Sequence, residues 1–328
     1  MGWRLGEDMS LVIVVKCKDG IVAATDSRNT ICFDKEVPGS CKTEFKDGAF
    51  KVFEFCAPHN FITALYYSYG NINEDCGTLL DPKTDPYSID SCLRRFENEV
   101  LLKAYPHERI SVSKFRAELE NFLIPYWERY REQRLAEFKD LTKAIKDGQI
   151  PQLGHLPNVS SNVVIVVTGF DERPSKSHLF VFFLSDASEW WQGSHYINKF
   201  KDKEVIATQY GLYFGGIDQF VRQVLGEDGI SEAKQNAGQR NSEHLEKMQA
   251  RIIAMKSRFN IRFKRVFTYF DYYSTKSINV LDAARLAELL IKGTTEHERL
   301  SGDHFVGGDI RICSITSRDG IACRVIAN

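Results

Sequence analysis

Apolar residues near the start of the chain gather in two short runs that are separated by a turn sequence. Leu11–Val15 contains five apolar residues in a row, and Lys18-Asp19-Gly20 follows as a tight turn. A second run, Ile21–Ala24, leads into Asp26-Ser27-Arg28. Short apolar runs bounded by turn signals are typical of buried strands. The pattern predicts a β-hairpin that begins at Ser10 and carries an acid and a base at the end of its second strand.

The rest of the chain alternates between strand patterns and helix patterns. The further strand patterns are Phe50–Phe55, Val163–Thr168, His178–Leu184, Glu204–Phe214, Asp309–Ile315 and Ile321–Ile326. The helix patterns are Phe61–Ser68, Asp90–Ala104, Ser113–Ile145, Ile217–Leu225, Ser231–Arg258 and Leu281–Ile291. Pro125 is expected to kink the third of these helices, and Gly293 is expected to end the last. Two strand groups enclosed by two helix groups predict an α+β fold, a four-layer αββα sandwich.

The length of 328 residues allows one large domain with an ample core. We expect a single domain over residues 10–328, with helical additions at about residues 128–158 and 227–262. Residues 1–9 are expected to be a leader or the result of a mis-assigned start. Met9-Ser10 favours the second explanation, because it is typical of a start methionine that an aminopeptidase removes.

Charge, hydropathy and cysteine usage exclude several classes of partner. The 43 basic and 44 acidic residues nearly cancel, so bulk charge favours neither nucleic acid nor an anionic membrane. No apolar run approaches the ~20 residues of a membrane span, and residues 1–9 lack the apolar core of a secretory signal. The eight cysteines include no CxxC pair, and we expect reduced thiols in a cytoplasmic protein without a metal or other cofactor.

The segment from Ser10 to Arg28 resembles the opening hairpin of a proteasome β-subunit, a member of the N-terminal-nucleophile hydrolases. The resemblance extends to Phe50–Phe55, to the turn of the central hairpin at Gly169, and to the segment from Leu281 to Ile315. It implies that Ser10 takes the position of the family's nucleophile, that Lys51 matches its catalytic lysine, and that Asp26 and Arg28 match its conserved acid and base.

The chemistry of these residues sets a condition on the N-terminus. A serine hydroxyl needs a base, and a free α-amino group suits that role because its pKa is about 7.7–8.0. A peptide nitrogen lacks this basicity, so Ser10 works in this way only if residues 1–9 are removed. Strand alternation should turn Lys51 inward, where it would pair with Asp26 and stabilise the developing oxyanion. Lys42 is the alternative lysine, because the long segment Asn29–Asp47 blurs the register.

The resemblance also implies supporting residues near the C-terminus. Ser301 matches a family serine, and Glu298 stands where the family has an aspartate; both would support the N-terminal amine, although glutamate is longer by one methylene. Gly307-Gly308 matches the family's Gly-Gly lead into the penultimate strand, whereas Tyr213-Phe214-Gly215-Gly216 lacks the serine of the corresponding family turn. Backbone N–H groups of Cys56–Asn60 are the candidate oxyanion donors.

Together these residues predict an amide-bond hydrolase, a peptidase or amidase, that uses Ser10 through an acyl-enzyme. A non-catalytic proteasome-like assembly subunit and acyl transfer to an amine (a transpeptidase) are the alternatives. The expected partners are a peptide or amide substrate and further copies of the chain in a ring-like or filamentous homo-oligomer, but neither nucleic acid nor membrane. Lys51→Ala is expected to abolish the chemistry with little loss of stability, since it removes an inward charge.

Overall fold

The computed structural model describes residues 10–34, 41–49, 51–68, 89–127, 147, 162–172, 177–185, 203–204, 210–216, 219–225, 243–267, 270–275, 278–302 and 304–327. In this part of the chain the protein has an α+β fold, and every strand pair in its sheets is antiparallel. The predicted leader, residues 1–9, lies outside the described residues.

The opening hairpin forms the middle of a seven-stranded sheet. The strands of that sheet are β1 (Leu11–Lys16), β2 (Ile21–Asp26), β10 (Gly211–Gly216), β11 (Arg262–Phe267), β12 (Phe270–Ser274), β13 (Ile310–Thr316) and β14 (Gly320–Ile326). Their order is β11-β12-β10-β1-β2-β13-β14. The neighbours of the hairpin are therefore β10 on one side and β13 on the other, although both come much later in the sequence.

A second sheet has five strands in the order of the chain. These are β5 (Val52–Glu54), β6 (Ile62–Ser68), β7 (Asn162–Phe170), β8 (Ser177–Ser185) and β9 (Lys203–Glu204). Two further strands, β3 (Asn29–Asp34) and β4 (Cys41–Lys46), pair with each other as a separate hairpin. This hairpin occupies the segment that the sequence suggested only as a long loop.

The helices fall into two groups along the chain. The first group contains α1 (Ile89–Phe96), a π-helical turn (Glu97–Leu101), α2 (Leu102–Ala104) and α3, which is helical over the described residues 112–127. The second group contains α4 (Gln219–Leu225), α5 (Glu243–Arg258) and α6 (Val280–Ser301). None of the helices formed by the described residues is both long and apolar enough to cross a membrane.

Three buried clusters form the core. The first lies between the seven-stranded sheet and helices α4, α5 and α6. The second lies between the five-stranded sheet and helices α1 and α3, and the third lies between the two sheets. Along β1, Ile13 and Val15 belong to the first cluster, whereas Val12 and Val14 belong to the third. Ser10 precedes Val12 by two positions and therefore continues the row that faces the space between the sheets.

Most predicted elements are confirmed. Both the opening and the central hairpin form, as does the closing hairpin β13–β14, and helices occupy the expected places around residues 89–104, 112–127, 219–225 and 243–258. The helix around residue 125 continues through Pro125 to residue 127. Most residues of the two predicted helical additions lie outside the described residues. The structure describes only residue 147 of the first addition, and α5 with the start of β11 in the second.

The helix predicted at Phe61–Ser68 is wrong, because this segment is strand β6. It pairs with β5 along one edge and with β7 along the other. Both of its faces are also covered, because Tyr66 packs in the second cluster and Leu65 in the third. A strand that is buried on both faces reads as one continuous apolar run, and periodicity alone does not separate it from a buried helix. The short run and its tyrosines favour the strand that forms.

The predicted strand Glu204–Phe214 is also wrong as a single element. Glu204 ends β9 in the five-stranded sheet, whereas Phe214 lies on β10 in the seven-stranded sheet. One apolar pattern thus covered two strands that belong to different layers, and residues 205–209 between them lie outside the described residues.

The predicted helix end at Gly293 is wrong as well. Helix α6 runs through Gly293 to Ser301 and ends at Gly302, which has the left-handed conformation (φ +87°) of a C-terminal cap. A Cβ atom on Gly293 would lie 2.2 Å from the Phe220 ring of α4. Gly293 therefore permits close helix packing, and the longer helix carries Glu298 and Ser301 in its last turns.

The prediction of reduced thiols is wrong for two of the eight cysteines. Cys313 on β13 and Cys323 on β14 are direct partners in the strand register and are joined by a disulfide bond, with 4.0 Å between their Cα atoms. Spacing in the sequence did not reveal the pair, because the ten-residue separation becomes a contact only in this register. Cys17 and Cys56 are not in a disulfide.

Candidate functional site

The side chain of Asp26, at the end of β2, is the centre of the candidate site. It is fully buried. Its Oδ1 accepts a hydrogen bond from the Leu11 N–H (3.0 Å), and its Oδ2 accepts from the N–H groups of Arg28 (3.1 Å) and Gly307 (3.4 Å). A buried carboxylate needs such partners to remain ionised. Asp26 thereby joins the start of β1, the end of β2 and the loop before β13.

Lys51 supplies the positive charge that pairs with this carboxylate. The residue lies directly before β5 and is 1% exposed, which confirms the prediction that it points inward. Its Nζ donates to Asp26 Oδ1 at 3.2 Å and to Oδ2 at 3.1 Å, and it also donates to the carbonyl oxygen of Arg28. Burial lowers the pKa of the Lys51 ammonium, and the charge of Asp26 acts in the opposite direction. The result is a buried ion pair that links the two sheets.

Ser10 directly precedes Leu11, the residue whose N–H group binds the Asp26 carboxylate. Ser10 itself is 3% exposed. In the full chain the nitrogen of Ser10 belongs to a peptide bond with Met9, so it has no amine basicity. The structure therefore places the Asp26 carboxylate on the N–H group of the residue after Ser10, while a contact of Ser10 itself with Asp26 or Lys51 stays a prediction.

Gly216, the last residue of the Tyr213–Gly216 segment, lies beside Ser10. The contact between the two backbones leaves no room for a side chain at position 216. The segment belongs to strand β10, where Gly216 is the register partner of Leu11. Gly216 has a φ of +97°, and a Cβ atom on it would lie 1.7 Å from the carbonyl oxygen of Ser10. The approach of the two backbones at this position requires glycine.

We expect Gly216→Ala to lower the free energy of unfolding by about 1–3 kcal/mol, because the new methyl group overpacks the β1–β10 contact and the backbone conformation is strained. Urea unfolding of the purified variant measures this loss. Gly48→Ala is the matched control, since Gly48 also has a positive φ (+98°) but nothing lies within 4 Å of its Cβ position. Equal losses in both variants would contradict a steric role for Gly216.

An exposed ion pair fixes the loop on the other side of Asp26. The Arg28 guanidinium binds Asp47 through two hydrogen bonds of 2.7 and 3.0 Å, and it donates to the carbonyl oxygen of His304 at 3.1 Å. A Cβ atom on Gly307 would lie 2.6 Å from the Arg28 guanidinium carbon, and one on Gly308 would lie 2.5 Å from Ser27 Oγ. The Gly-Gly sequence is therefore needed for the loop to pack on Arg28 and to reach Asp26.

Asp47 is a member of this network that sequence reasoning missed. It stands between a strand and Gly48, a setting in which aspartate usually forms a turn, and only its partner Arg28 reveals the second role. The pKa of the Asp47 carboxyl is lowered from 3.8, mainly by its hydrogen bond to Arg28. The proximity of Lys51 lowers it further.

The lowered pKa of Asp47 predicts a pH-dependent contribution to stability. Because the pKa is lower in the folded chain, the ionised carboxylate stabilises the fold above about pH 4, and this contribution is lost as the pH falls through the folded pKa. Asp47→Asn should lower the free energy of unfolding by up to about 1 kcal/mol at pH 7, since the pair is half-exposed. Urea unfolding at several pH values should show the difference shrinking below pH 4, whereas a constant difference would contradict the ion-pair explanation.

Glu298 and Ser301 lie in the last turns of α6 but make different contacts. Glu298 is buried, and its Oε2 accepts the N–H of Val306 at 2.7 Å, so it holds the loop whose next residue, Gly307, binds Asp26. Ser301 is exposed, and its hydroxyl donates to the carbonyl oxygen of His297 at 3.0 Å. Glu298 is thus connected to the site through this loop, while a contact of Ser301 with the nucleophile stays a prediction.

The turn Cys56–Asn60 is poorly placed to supply oxyanion donors. It follows β5 at the end away from Lys51, and the Cys56 N–H is already bound to Glu97 Oε1 at 2.5 Å. The N–H of Tyr66 donates to the carbonyl oxygen of Lys51 at 3.1 Å, so the end of β6 lies on the Lys51 side. Lys42, the alternative lysine, lies on β4 opposite Phe33.

Two hydroxyl groups next to Asp26 have no hydrogen-bond partner within the part of the chain that the structure describes. They are Thr25 Oγ1 and Ser27 Oγ, and both are buried. Buried hydroxyls are normally paired with protein or water. They are therefore available to a water molecule or a ligand that enters the site.

A cluster that resembles a metal site lies at the other end of β5. Glu54, Cys313 and Cys323 offer ligand atoms within 4.8 Å of one another. Because the two cysteines form a disulfide, their sulfur atoms are not thiolates in this state and do not bind a metal as thiolate ligands.

Comparisons with known proteins give only a loose likeness. No protein-family model matches the chain, and no curated protein matches it. Among solved structures, the chain is similar to an Anbu (Gly-1) mutant from Hyphomicrobium sp. strain MC1, with 10% identity over 97% of this chain and 87% of that one, at a TM-score of 0.44. It is also similar to Anbu (ancestral beta-subunit) from Yersinia bercovieri, with 10% identity over 95% and 86% of the two chains, at a TM-score of 0.44. Similarity at this level does not place the chain in a family.

Proposed function

We propose that the chain is an amide-bond hydrolase, a peptidase or amidase, in which Ser10 becomes the nucleophile once it is the first residue. The observation that carries this proposal is the buried Lys51–Asp26 ion pair, whose carboxylate binds the N–H group of the residue directly after Ser10. A buried ammonium with a lowered pKa, paired with a carboxylate that binds the N–H group next to a serine, is a physical indication of a reactive site. Ser10, Asp26 and Lys51 are also residues through which the sequence resembles the N-terminal-nucleophile hydrolases.

We extend the proposal to the architecture of the fold. The three buried clusters, helix against sheet, sheet against sheet and sheet against helix, support a four-layer αββα sandwich. In such an arrangement the row of residues that begins at Ser10 faces the space between the two sheets. A substrate would enter at the end of this space where β1 begins.

The proposed mechanism follows from the basicity of the groups. The free amine of Ser10 takes the hydroxyl proton as Oγ attacks the amide carbonyl, and the proton then passes to the leaving amine. This step gives an ester at Ser10 Oγ, which water hydrolyses with the same amine as the base. Lys51 and Asp26 provide a fixed pair of charges beside the reaction, and the positive charge stabilises the oxyanion that develops on the amide carbonyl oxygen. Glu298 would hold the 306–307 loop against Asp26 and so keep this pair in place.

Turnover of a panel of fluorogenic peptide amides tests the proposal. The protein that begins at Ser10 should release the fluorophore, and its Ser10→Ala variant should not. An added amino-acid amide such as glycinamide separates hydrolysis from acyl transfer, because a transpeptidase would form the amide of the added amine. If folded protein that begins at Ser10 releases no fluorophore from any peptide amide of a broad panel, the result contradicts the proposed hydrolase activity.

The second candidate is a non-catalytic assembly subunit, and Gly216 favours it. The close approach of Gly216 to Ser10 leaves no room for the serine that the resemblance would place in this segment. We also propose self-assembly into a homo-oligomer, on the basis of the resemblance. Light scattering over a hundredfold range of micromolar concentrations tests this: an unchanged monomer would exclude both the assembly and the subunit role.

A further inference from the structure

The disulfide between Cys313 and Cys323 joins β13 and β14, the outermost pair of strands at one end of the larger sheet. Among the described strands β14 is the last of that sheet, so one of its edges has no strand partner in this part of the chain. Cys313 on β13 is fully buried, whereas Cys323 on β14 is half-buried. Cys313 is therefore closed to solvent, whereas Cys323, which packs against the third cluster, keeps part of its surface exposed.

The surroundings of the two sulfur atoms contain a pair of opposite charges. A carboxylate oxygen of Glu54 lies within 4.8 Å of both sulfurs, and Glu54 is ion-paired with Arg311. Arg311 precedes Cys313 by two positions, on the same face of β13. The carboxylate alone would disfavour a thiolate at this point, and the nearby guanidinium offsets that effect.

We propose that Cys313–Cys323 is a reversible thiol–disulfide exchange site that small thiols open at Cys323. The thiolate of a reduced tripeptide or another low-molecular-weight thiol attacks Cys323 Sγ, and the protein disulfide breaks. A mixed disulfide forms at Cys323, and the Cys313 thiolate takes up a proton. A second small thiol then attacks the mixed disulfide, which releases the small-molecule disulfide and leaves Cys323 as a thiol. Two electrons pass from the two small thiols to the protein.

The structural consequence is confined to β14. The disulfide covalently fixes the middle of β14 to β13, whereas β13 is held independently on its other edge by β2. After reduction, β14 keeps its ladder with β13 and the hydrogen bond from Ile321 N to the carbonyl oxygen of Asn60 (2.8 Å). We therefore expect β14 to open more often in the reduced protein, while β1 and β2 remain unchanged. This inference is independent of the proposed hydrolase.

Redox titration of the full chain with reduced and oxidised glutathione tests the proposal. Thiols are trapped by alkylation of the folded protein, and peptide mass spectrometry locates them. The expected result is a reversible change of two thiols at Cys313 and Cys323, with Cys323 as the site of the mixed disulfide. Cys56→Ala is a matched control that removes an exposed thiol outside the pair, and it should leave this change intact.

Hydrogen exchange of the oxidised and reduced protein gives the second measurement. Amides of β14 should exchange at least several-fold faster after reduction, and the Cys313→Ala/Cys323→Ala variant should match the reduced protein. Either of two results overturns the proposal: a disulfide that glutathione opens only after the protein unfolds, or a pair that stays reduced in excess oxidised glutathione. If the double variant does not fold, the titration of the wild-type protein still decides between these results.

Discussion

Lys51→Met is expected to lower the free energy of unfolding by about 3–5 kcal/mol and to slow reaction at Ser10 by at least ~100-fold. The loss of stability follows from burial, since Lys51 is 1% exposed and its partner Asp26 is fully buried. The variant leaves the Asp26 carboxylate without its cation. The three backbone N–H donors remain, but they carry no charge to compensate it.

This result differs from what the sequence alone suggested for Lys51. An isolated inward charge can be removed with little loss of stability, whereas removal of one member of a buried ion pair exposes the other to an apolar environment. The sequence already predicted the pairing of Lys51 with Asp26; the burial of both partners in the structure changes the expected stability of Lys51→Met and of Lys51→Ala alike.

A double-mutant cycle measures how much of the effect of Lys51→Met depends on its partner Asp26. Asp26→Asn removes the negative charge, so Lys51→Met should be less destabilising in that background by about 1–3 kcal/mol. Urea unfolding gives the four free energies, and the rate of reaction with a β-lactone reports on the site. Lys42→Met is the control lysine. Wild-type stability and reactivity in Lys51→Met would transfer the role to Lys42 or exclude the proposed chemistry.

The start of the chain should control reactivity even more strongly than Lys51. Protein that begins at Ser10 is expected to react with a β-lactone, and protein that keeps Met9 is expected to react at least ~10²–10⁴-fold more slowly, because a peptide nitrogen cannot take the hydroxyl proton. The rate should rise with pH through about 7.7–8.0, where the α-amino group loses its proton.

Three proteins of defined N-terminus measure this effect. They are the chain that begins at Ser10, the chain that begins at Met9 with the methionine retained, and the Ser10→Ala form of the first. Rates are compared between pH 6 and 9 after unfolding curves have shown that all three are folded. Equal rates for the first two proteins would mean that the amine of Ser10 is not the base.

The resemblance to a proteasome β-subunit singled out Lys51 and Asp26, and strand alternation predicted that Lys51 points inward. The hairpin that ends in Asp26 and the apolar strand that follows Lys51 are local features, and an inward lysine needs a carboxylate partner. The partners that the sequence did not reveal depend on long-range register. Asp47 meets Arg28 across the end of a hairpin, and Cys313 meets Cys323 only because β13 and β14 pair without an offset.

The errors in secondary structure have a similar cause. Phe61–Ser68 contains too few residues to distinguish a helix from a strand that is buried on both faces, and only its neighbours β5 and β7 decide. Gly293 has the residue type of a helix end, but the ring of Phe220 lies where its side chain would be. In both places tertiary packing overrides the local signal.

The location of a covalent adduct tests the central claim most directly. Protein that begins at Ser10 is incubated with a peptide epoxyketone, digested, and mapped by tandem mass spectrometry. The account predicts one adduct, on the peptide that starts at Ser10, and its absence from protein that retains Met9. An adduct on another residue, or none on folded protein with Lys51 and Asp26 intact, would contradict the assignment of Ser10 as the nucleophile.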